Sequence, residues 1–379
     1  MGAYLAFCSD IPGYRDNRVL DADTAARHPG SGWVRVLAER LRGRGMDLIT
    51  GDVALADIEA GRRRVEDAWV ISEEESGHAA ALCAHGARPL AIFCFESPLF
   101  ARTFYQQAET LCRTYPLKLV FAGLAQTTLR GQPGVHAITI PNYSLSDPVP
   151  TPPPWAERGT LAMVAGNKYW RTPFRLRWLR EPKRLEAWAR GKLRLTKSLV
   201  KREAARRQLH DERLRLIEFF GQRGHLALHG GGWLEPGLLP MRWRHLRPLL
   251  KKLNPRRCAD KLAALGQARF ALCLENLTYP GYLTEKLIDC FRAGTIPLYR
   301  GDPEVTRLVP ANAFIDLSQH TDLPALEKKL LAITEPEAQA YLRAGQDFLA
   351  SPAAHGCSFE GFADQLLEWA QPLLTADHA

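Results

Sequence analysis

Two polar pairs set ten residues apart are the part of this 379-residue chain best suited to chemistry on a phosphorylated ligand. Glu275 and Asn276 end an apolar run, Phe270–Leu274, and Glu285 and Lys286 open the next amphipathic one, behind Thr284 as a helix N-cap. A lysine in the first helical turn offers a point charge to phosphate oxygens, and the free N–H groups of that turn add the positive end of the helix dipole. A carboxylate such as Glu285 accepts hydrogen bonds from ribose or sugar hydroxyls. Read alone, Glu285 and Lys286 also fit a solvated first turn, and Glu275 an interstrand polar residue. The strand–loop–helix–strand setting makes the ligand reading an equal competitor. A third carboxylate, Glu96, follows the apolar run Leu90–Phe95, and Pro98 forces a turn behind it. A carboxylate at a strand end suits general-base work.

These residues need elements to hold them, and the chain supplies two series. In the first half, apolar runs at Ala3–Cys8, Asp47–Thr50, Ala68–Ile71, Leu90–Phe95, Lys118–Phe121 and His136–Ile140 alternate with helical patterns such as Trp33–Arg44. Such alternation predicts an α/β layer with a mostly parallel sheet. Proline-rich sequence between Ser146 and Arg158 predicts an interdomain linker. A second series follows: Leu161–Ala165, a helix over Arg213–Phe220, Leu226–Leu228, the turn Gly230-Gly231-Gly232, Phe270–Leu274, a helix over Glu285–Arg292 closed by Gly294, and Ile296–Tyr299. A final helix places Phe359, Phe362, Leu366 and Leu373 on one face. The expected organisation is therefore a domain over 1–150, a second over 151–345 and a C-terminal helix within 346–379, the two α/β domains facing a cleft.

The run Glu275-Asn276, Tyr282-Leu283-Thr284-Glu285-Lys286, Pro297 and Gly301 resembles, in order and spacing, the signature of the α-1,3/4-fucosyltransferases, glycosyltransferase family 10, bacterial soluble type. Two further islands agree. Glu96-Ser97-Pro98 resembles the family's Glu-Ser-Pro, whose glutamate is the proposed base. Gly166-Asn167-Lys168, the helix carrying Arg213 and Arg215, and the Gly230–Gly232 turn resemble the family's Ser-Asn-Lys strand, its phosphate-binding arginine and its Gly-rich turn. The resemblance covers most of 85–310 as separated islands. Glycine stands before Asn167 where the family usually has serine, and Leu274 stands where phenylalanine is common.

This resemblance implies a GT-B architecture of two Rossmann-like domains and inverting transfer of L-fucose from GDP-fucose to a glycan hydroxyl. It implies Glu96 as catalytic base and Asn167, Lys168, Arg213, Glu275, Asn276, Tyr282, Glu285 and Lys286 as donor-binding residues. Arg213 fits the phosphate arginine best, counting back from Gly230, with Arg215 as competitor. The expected linkage is α-1,3 to N-acetylglucosamine of an N-acetyllactosamine, Lewis-type or lipopolysaccharide glycan. No metal or other cofactor is required where cationic side chains neutralise the departing diphosphate; stimulation by Mn²⁺ stays open. A related transferase using another GDP-hexose is the nearest alternative.

Composition bounds the remaining readings. Hydrophobic residues make up 46% and charged residues 24%, which excludes a disordered chain. No run reaches the roughly 20 apolar residues of a membrane span, and the apolar start, Met1–Phe7, reads as a strand rather than a signal peptide. Eight cysteines without a Cys-x-x-Cys pair suggest reduced thiols, a cytoplasmic setting and no structural metal. The net charge of +9 favours anionic partners, and the basic excess concentrates between Arg171 and Arg207. There Leu195 and Leu199 beside Lys197, Lys201 and Arg202 suggest a basic amphipathic helix at the inner-membrane surface, in keeping with a lipid-linked acceptor. A nucleic-acid-binding protein also carries such charge, but the recognition-module patterns of those proteins are missing, so no nucleic acid is expected as partner.

Overall fold

Short apolar runs that bury both faces belong in parallel sheets, and this chain builds two of them. The computed structural model describes residues 2–167, 206–235 and 238–375. Lys168 and nearly all of the basic segment 171–207 lie outside the described residues. The chain folds as two units, one formed by Met1–Asp147, Pro280–Glu285 and Ser351–Ala379, the other by Pro148–Tyr279 and Lys286–Ala350.

The first unit carries six parallel strands: β1 (Tyr4–Cys8), β2 (Asp47–Thr50), β3 (Ala68–Glu73), β4 (Arg88–Phe93), β5 (Leu117–Val120) and β6 (Val135–Ala137). Their order is β2-β1-β3-β4-β5-β6. β4 begins and ends two residues earlier than the apolar pattern predicts, and β6 is shorter. The extended chain nonetheless runs on, since the Cys94 N–H donates to Leu119 O at 3.3 Å and the Ile138 N–H to Val120 O at 3.0 Å. The helix Gly32–Arg42 packs against this sheet through Trp33, Val34, Leu37 and Leu41. The C-terminal helix, Phe359–Thr375, joins the same unit and buries Phe359, Phe362, Leu366 and Leu367 in its core. The C-terminal helix expected within 346–379 is a layer of the first unit, because its apolar face has the Gly32–Arg42 helix and the strand ends to cover.

An aromatic cluster ties these layers together under the carboxyl ends of β1 and β4. Trp33 meets Phe7 at 5.7 Å, Phe93 at 5.3 Å and Phe362 at 5.1 Å, all edge to face, and Phe95 lies 5.5 Å from Phe362. Edge-to-face pairs of this kind contribute about 0.5–1.5 kcal/mol each beyond their buried area. The cluster fixes the backbone immediately before Glu96.

The second unit carries β7 (Gly159–Val164), β8 (Leu226–His229), β9 (Ala268–Leu274), β10 (Ile296–Arg300) and β11 (Ile315–Asp316), all parallel, in the order β11-β10-β9-β7-β8. The chain steps one way from β7 to β8 and the other way from β9 to β11, so the direction switches between β7 and β9. Open α/β sheets bind ligands at the carboxyl end of such a switch point. The core of this unit is built from Leu161, Met163, Ile217, Phe220, Phe270, Leu272 and Leu298. The proline-rich linker ends in this core: Trp155 is buried against Phe270 at 5.7 Å. Among the described residues no helix is long and apolar enough to cross a membrane.

Candidate functional site

At the carboxyl end of the second sheet, β9 delivers Glu275 and Asn276, as its apolar run predicts. Glu275 is fully buried, and its Oε2 accepts a bond from Lys286 Nζ at 2.9 Å. The Glu275 N–H donates to Arg300 O at 2.8 Å, which locks the strand end to β10. Lys286 is the second residue of the helix Glu285–Arg292. Its ammonium is therefore held beside the first helical turn, where backbone N–H groups and the helix dipole already favour an anion.

Arg213, the favoured phosphate arginine, is 1% exposed. Its Nη2 donates to Leu274 O at 2.6 Å, to Glu275 O at 2.7 Å and to Asn276 Oδ1 at 3.2 Å. The helix His210–Gln222 is thereby bolted to the end of β9, with the Leu209 N–H adding a bond to Asn276 O at 3.0 Å. Arg215, further along the same helix, lines an open pocket of about 380 Å³ with Asp211, Glu212, Trp243, Arg300 and His320. Arg242 and the indole N–H of Trp243 both bond Asp211, whose carboxyl is held below its ordinary range by those hydrogen bonds despite burial. Geometry thus separates the two arginines: one is an internal bolt, the other faces open space.

Asn167 lies past the end of β7, across the switch point from Asn276. Its N–H donates to Gly231 O at 2.9 Å and its side-chain amide to Gly232 O at 3.4 Å and Leu238 O at 3.3 Å. Asn167 is therefore a clamp on the glycine turn that closes β8. Gly230 in that turn has φ +123°, and a Cβ there would collide with the Ala165 carbonyl, so only glycine fits. Trp233 completes the clamp by donating its indole N–H to Ala165 O at 2.8 Å.

Tyr282 and Glu285 fall in the segment that packs with the first unit. The Tyr282 ring is buried edge-on to Phe121 at 5.2 Å, and Pro280 O accepts the Gly123 N–H at 2.9 Å. Glu285 is half-buried at the start of its helix. In the same unit Glu96 stands exposed beyond β4. Its carbonyl accepts bonds from Tyr105 Oη at 3.2 Å and Cys94 Sγ at 3.3 Å, and the Phe100 and Ala101 N–H groups close the following turn onto Ser97 O. The backbone is fixed while the residue itself stays exposed, a disposition that suits a base.

Sequence reasoning missed two carboxylates beside Glu96. Glu73 ends β3, and its Oε2 accepts from Ser9 Oγ at 2.6 Å. Burial pushes its pKa up to about 7; the Glu74 and Glu96 charges add to the rise, and the Ser9 bond opposes it. Glu74 adopts φ +53°, its N–H donates to Phe93 O at 2.8 Å, and burial also raises its carboxyl. The available signal was the Glu73-Glu74-Glu75 run closing an apolar strand. Among the described residues no group of three or more His, Cys, Asp or Glu side chains is placed to hold a metal ion.

Part of the second unit is similar to proteins of a known family. Residues 246–344 match the profile of glycosyltransferase family 10 (fucosyltransferase), C-terminal part. An α-(1,3)-fucosyltransferase of Helicobacter pylori is 42% identical over 58 residues, which span 15% of this chain and only 12% of that protein. A crystal structure of an α1,3-fucosyltransferase with GDP-fucose aligns with 99% of this chain and 91% of its own, at TM-score 0.50 and 14% identity. A glycosyltransferase from Rickettsia africae ESF-5 aligns over 99% of both chains at TM-score 0.57 and 8% identity. At these identities the structural matches establish the fold alone, two parallel α/β domains in the GT-B arrangement.

Proposed function

We propose that this chain, whose residues 246–344 match the profile of glycosyltransferase family 10, belongs to that family and transfers L-fucose from GDP-fucose to a hydroxyl of a glycan acceptor with inversion. The observation that carries this reading is the Glu275–Lys286 arrangement: a strand end, a loop and a helix start that together fix an ammonium beside the N–H groups of a first helical turn. Such a corner is built for a diphosphate.

In the reaction the acceptor oxygen attacks the anomeric carbon of the donor sugar as its proton passes to the Glu96 carboxylate. The bond from that carbon to the β-phosphate oxygen breaks, and its electron pair leaves with GDP. Glu96 accounts for about 10²–10⁴ of the rate as general base. Lys286 and the first turn of the helix Glu285–Arg292 stabilise the charge that grows on the departing diphosphate. Glu285 accepts hydrogen bonds from hydroxyls of the donor, Tyr282 walls the same loop, and Arg213, Asn167 and Asn276 hold the strand ends in register. With cationic side chains in that role, turnover proceeds without a bound divalent ion.

The acceptor in this reading is an N-acetyllactosamine or Lewis-type glycan taking fucose in α-1,3 linkage. The test is turnover of the purified full chain with GDP-fucose and N-acetyllactosamine, with GDP-mannose as control and GDP release as readout. Fucose-dependent product is expected. Turnover with GDP-mannose and none with GDP-fucose would replace the donor, and loss of all GDP-sugar binding would overturn the reading.

A further inference from the structure

Beyond the residues that the family resemblance supplies, Arg257 stands at the carboxyl end of the second sheet. The loop Asn254–Asp260 crosses the end of β8, where the Gly230 N–H donates to Arg256 O at 2.9 Å and pins it. The next residue, Arg257, runs its side chain past Gly231: a methyl placed on that glycine would lie 3.4 Å from Arg257 Nε and 3.9 Å from its Cγ. Gly231 is the residue whose carbonyl Asn167 holds, so Arg257 sits on the same turn as Asn167 and one strand from the switch point.

The local charge is one-sided. Lys251, Lys252, Arg256 and Arg257 fall within seven residues, all exposed, and the nearest acid in sequence, Asp260, is engaged in capping the helix Lys261–Gly266 through the Ala263 N–H at 2.9 Å. Arg257 pairs with no carboxylate among the described residues. An exposed arginine on a long stem ordinarily samples many rotamers. Here the glycine turn sets no side chain against it, and a planar guanidinium is a fork that fits an anion.

We infer that Arg257 is a further donor-binding residue, engaging the diphosphate of a guanosine diphosphate donor from the β8 side of the switch point. This rests on the proposed function, since it presumes that the anion is a nucleoside diphosphate. Lys286 approaches from the β9 side as a point charge held by Glu275. Arg257 supplies the planar, bidentate partner on the other side, a task for which lysine is a poor substitute.

The experiment is calorimetric titration of the full chain with GDP and, separately, with guanosine, in wild type, R257A, R257K and the control R343A. Arg343 is an exposed helix arginine whose Nε donates to the Gln339 carbonyl at 3.2 Å. R257A is expected to weaken GDP about tenfold or more, as loss of a charge-assisted bond does. R257K should recover part of this, R343A should match wild type, and guanosine binding should not change in any variant. GDP affinity in R257A equal to wild type overturns the inference and leaves the proposed function standing. Equal weakening toward GDP and guanosine places Arg257 on the base and overturns the phosphate assignment. A wild-type chain that binds no GDP overturns the proposed function together with this inference. R257A and wild type should melt at the same temperature, because the side chain is exposed.

Discussion

Lys286 Nζ lies 2.9 Å from the Oε2 of Glu275, a residue with no solvent exposure, while the lysine side chain keeps 16% of its own. The carboxylate is the anchor and the ammonium is the part that reaches outward. Breaking a buried pair from one side leaves a charge without compensation and costs about 3–5 kcal/mol, whereas removing both charges costs far less. K286M is therefore expected to lower both stability and GDP affinity. The E275Q/K286M double variant should regain most of the stability and none of the affinity. Thermal melts with GDP titration separate the two, and recovery of GDP binding in the double variant would contradict the role given to Lys286.

The two arginines of the helix His210–Gln222 should behave differently. Arg213→Ala removes the donor that serves Leu274 O, Glu275 O and Asn276 Oδ1, so it is expected to destabilise by at least about 2 kcal/mol. Arg215→Ala, on the lip of an open pocket, should cost less than about 0.5 kcal/mol. Urea midpoints of the two variants check this. Equal losses would mean that the Arg213 bonds do not bolt the helix to β9.

The contrast also shows what the sequence could and could not disclose. Arg213 falls on the same helical stripe as Leu216, Ile217 and Phe220, all buried, so its burial was readable from the 3.6-residue period. Its partners were not, because they are backbone carbonyls of a strand 61 or more residues away. The strand–loop–helix–strand run from Phe270 to Gly301 was legible because unbroken apolar strands, a capped helix start and Gly294 all speak locally. The placement of the Phe359–Thr375 helix was not: amphipathic spacing identifies a face to be covered but not the sheet that covers it.

Glu73 predicts a pH dependence that the sequence did not reveal. Its carboxyl titrates near 4.5 when unfolded and at about 7 in the fold, raised by burial and by Glu74 and Glu96, with Tyr14 and Ser9 also facing it. Between those values the folded chain keeps a proton that the unfolded chain has lost. Its contribution to stability is therefore fully present below pH 4.5 and is lost as pH rises to about 7. Glu73→Gln should flatten this segment of the stability curve, read from urea midpoints at about pH 5 and about pH 7.5. A drop in the variant as steep as in wild type would assign the pH dependence to other groups.

Neutralisation of the leaving diphosphate by side chains predicts a modest response to metal removal. Turnover in EDTA should stay within about threefold of the value in Mn²⁺. Loss of nearly all the activity, restored by Mn²⁺, would show that the cations of the second unit are insufficient alone.

The most direct test of the account is the rate of fucosylated product from GDP-fucose and N-acetyllactosamine in wild type and in Glu96→Gln, with GDP affinity measured on both. Glu96 is exposed on a backbone fixed by Tyr105, Cys94 and the Ser97 turn, so the substitution should leave the fold and GDP binding unchanged. Turnover is expected to fall by about 10²-fold or more, as it does on loss of a general base. Unchanged turnover in Glu96→Gln, with GDP-fucose still consumed, would remove Glu96 from the mechanism and contradict the account at its centre.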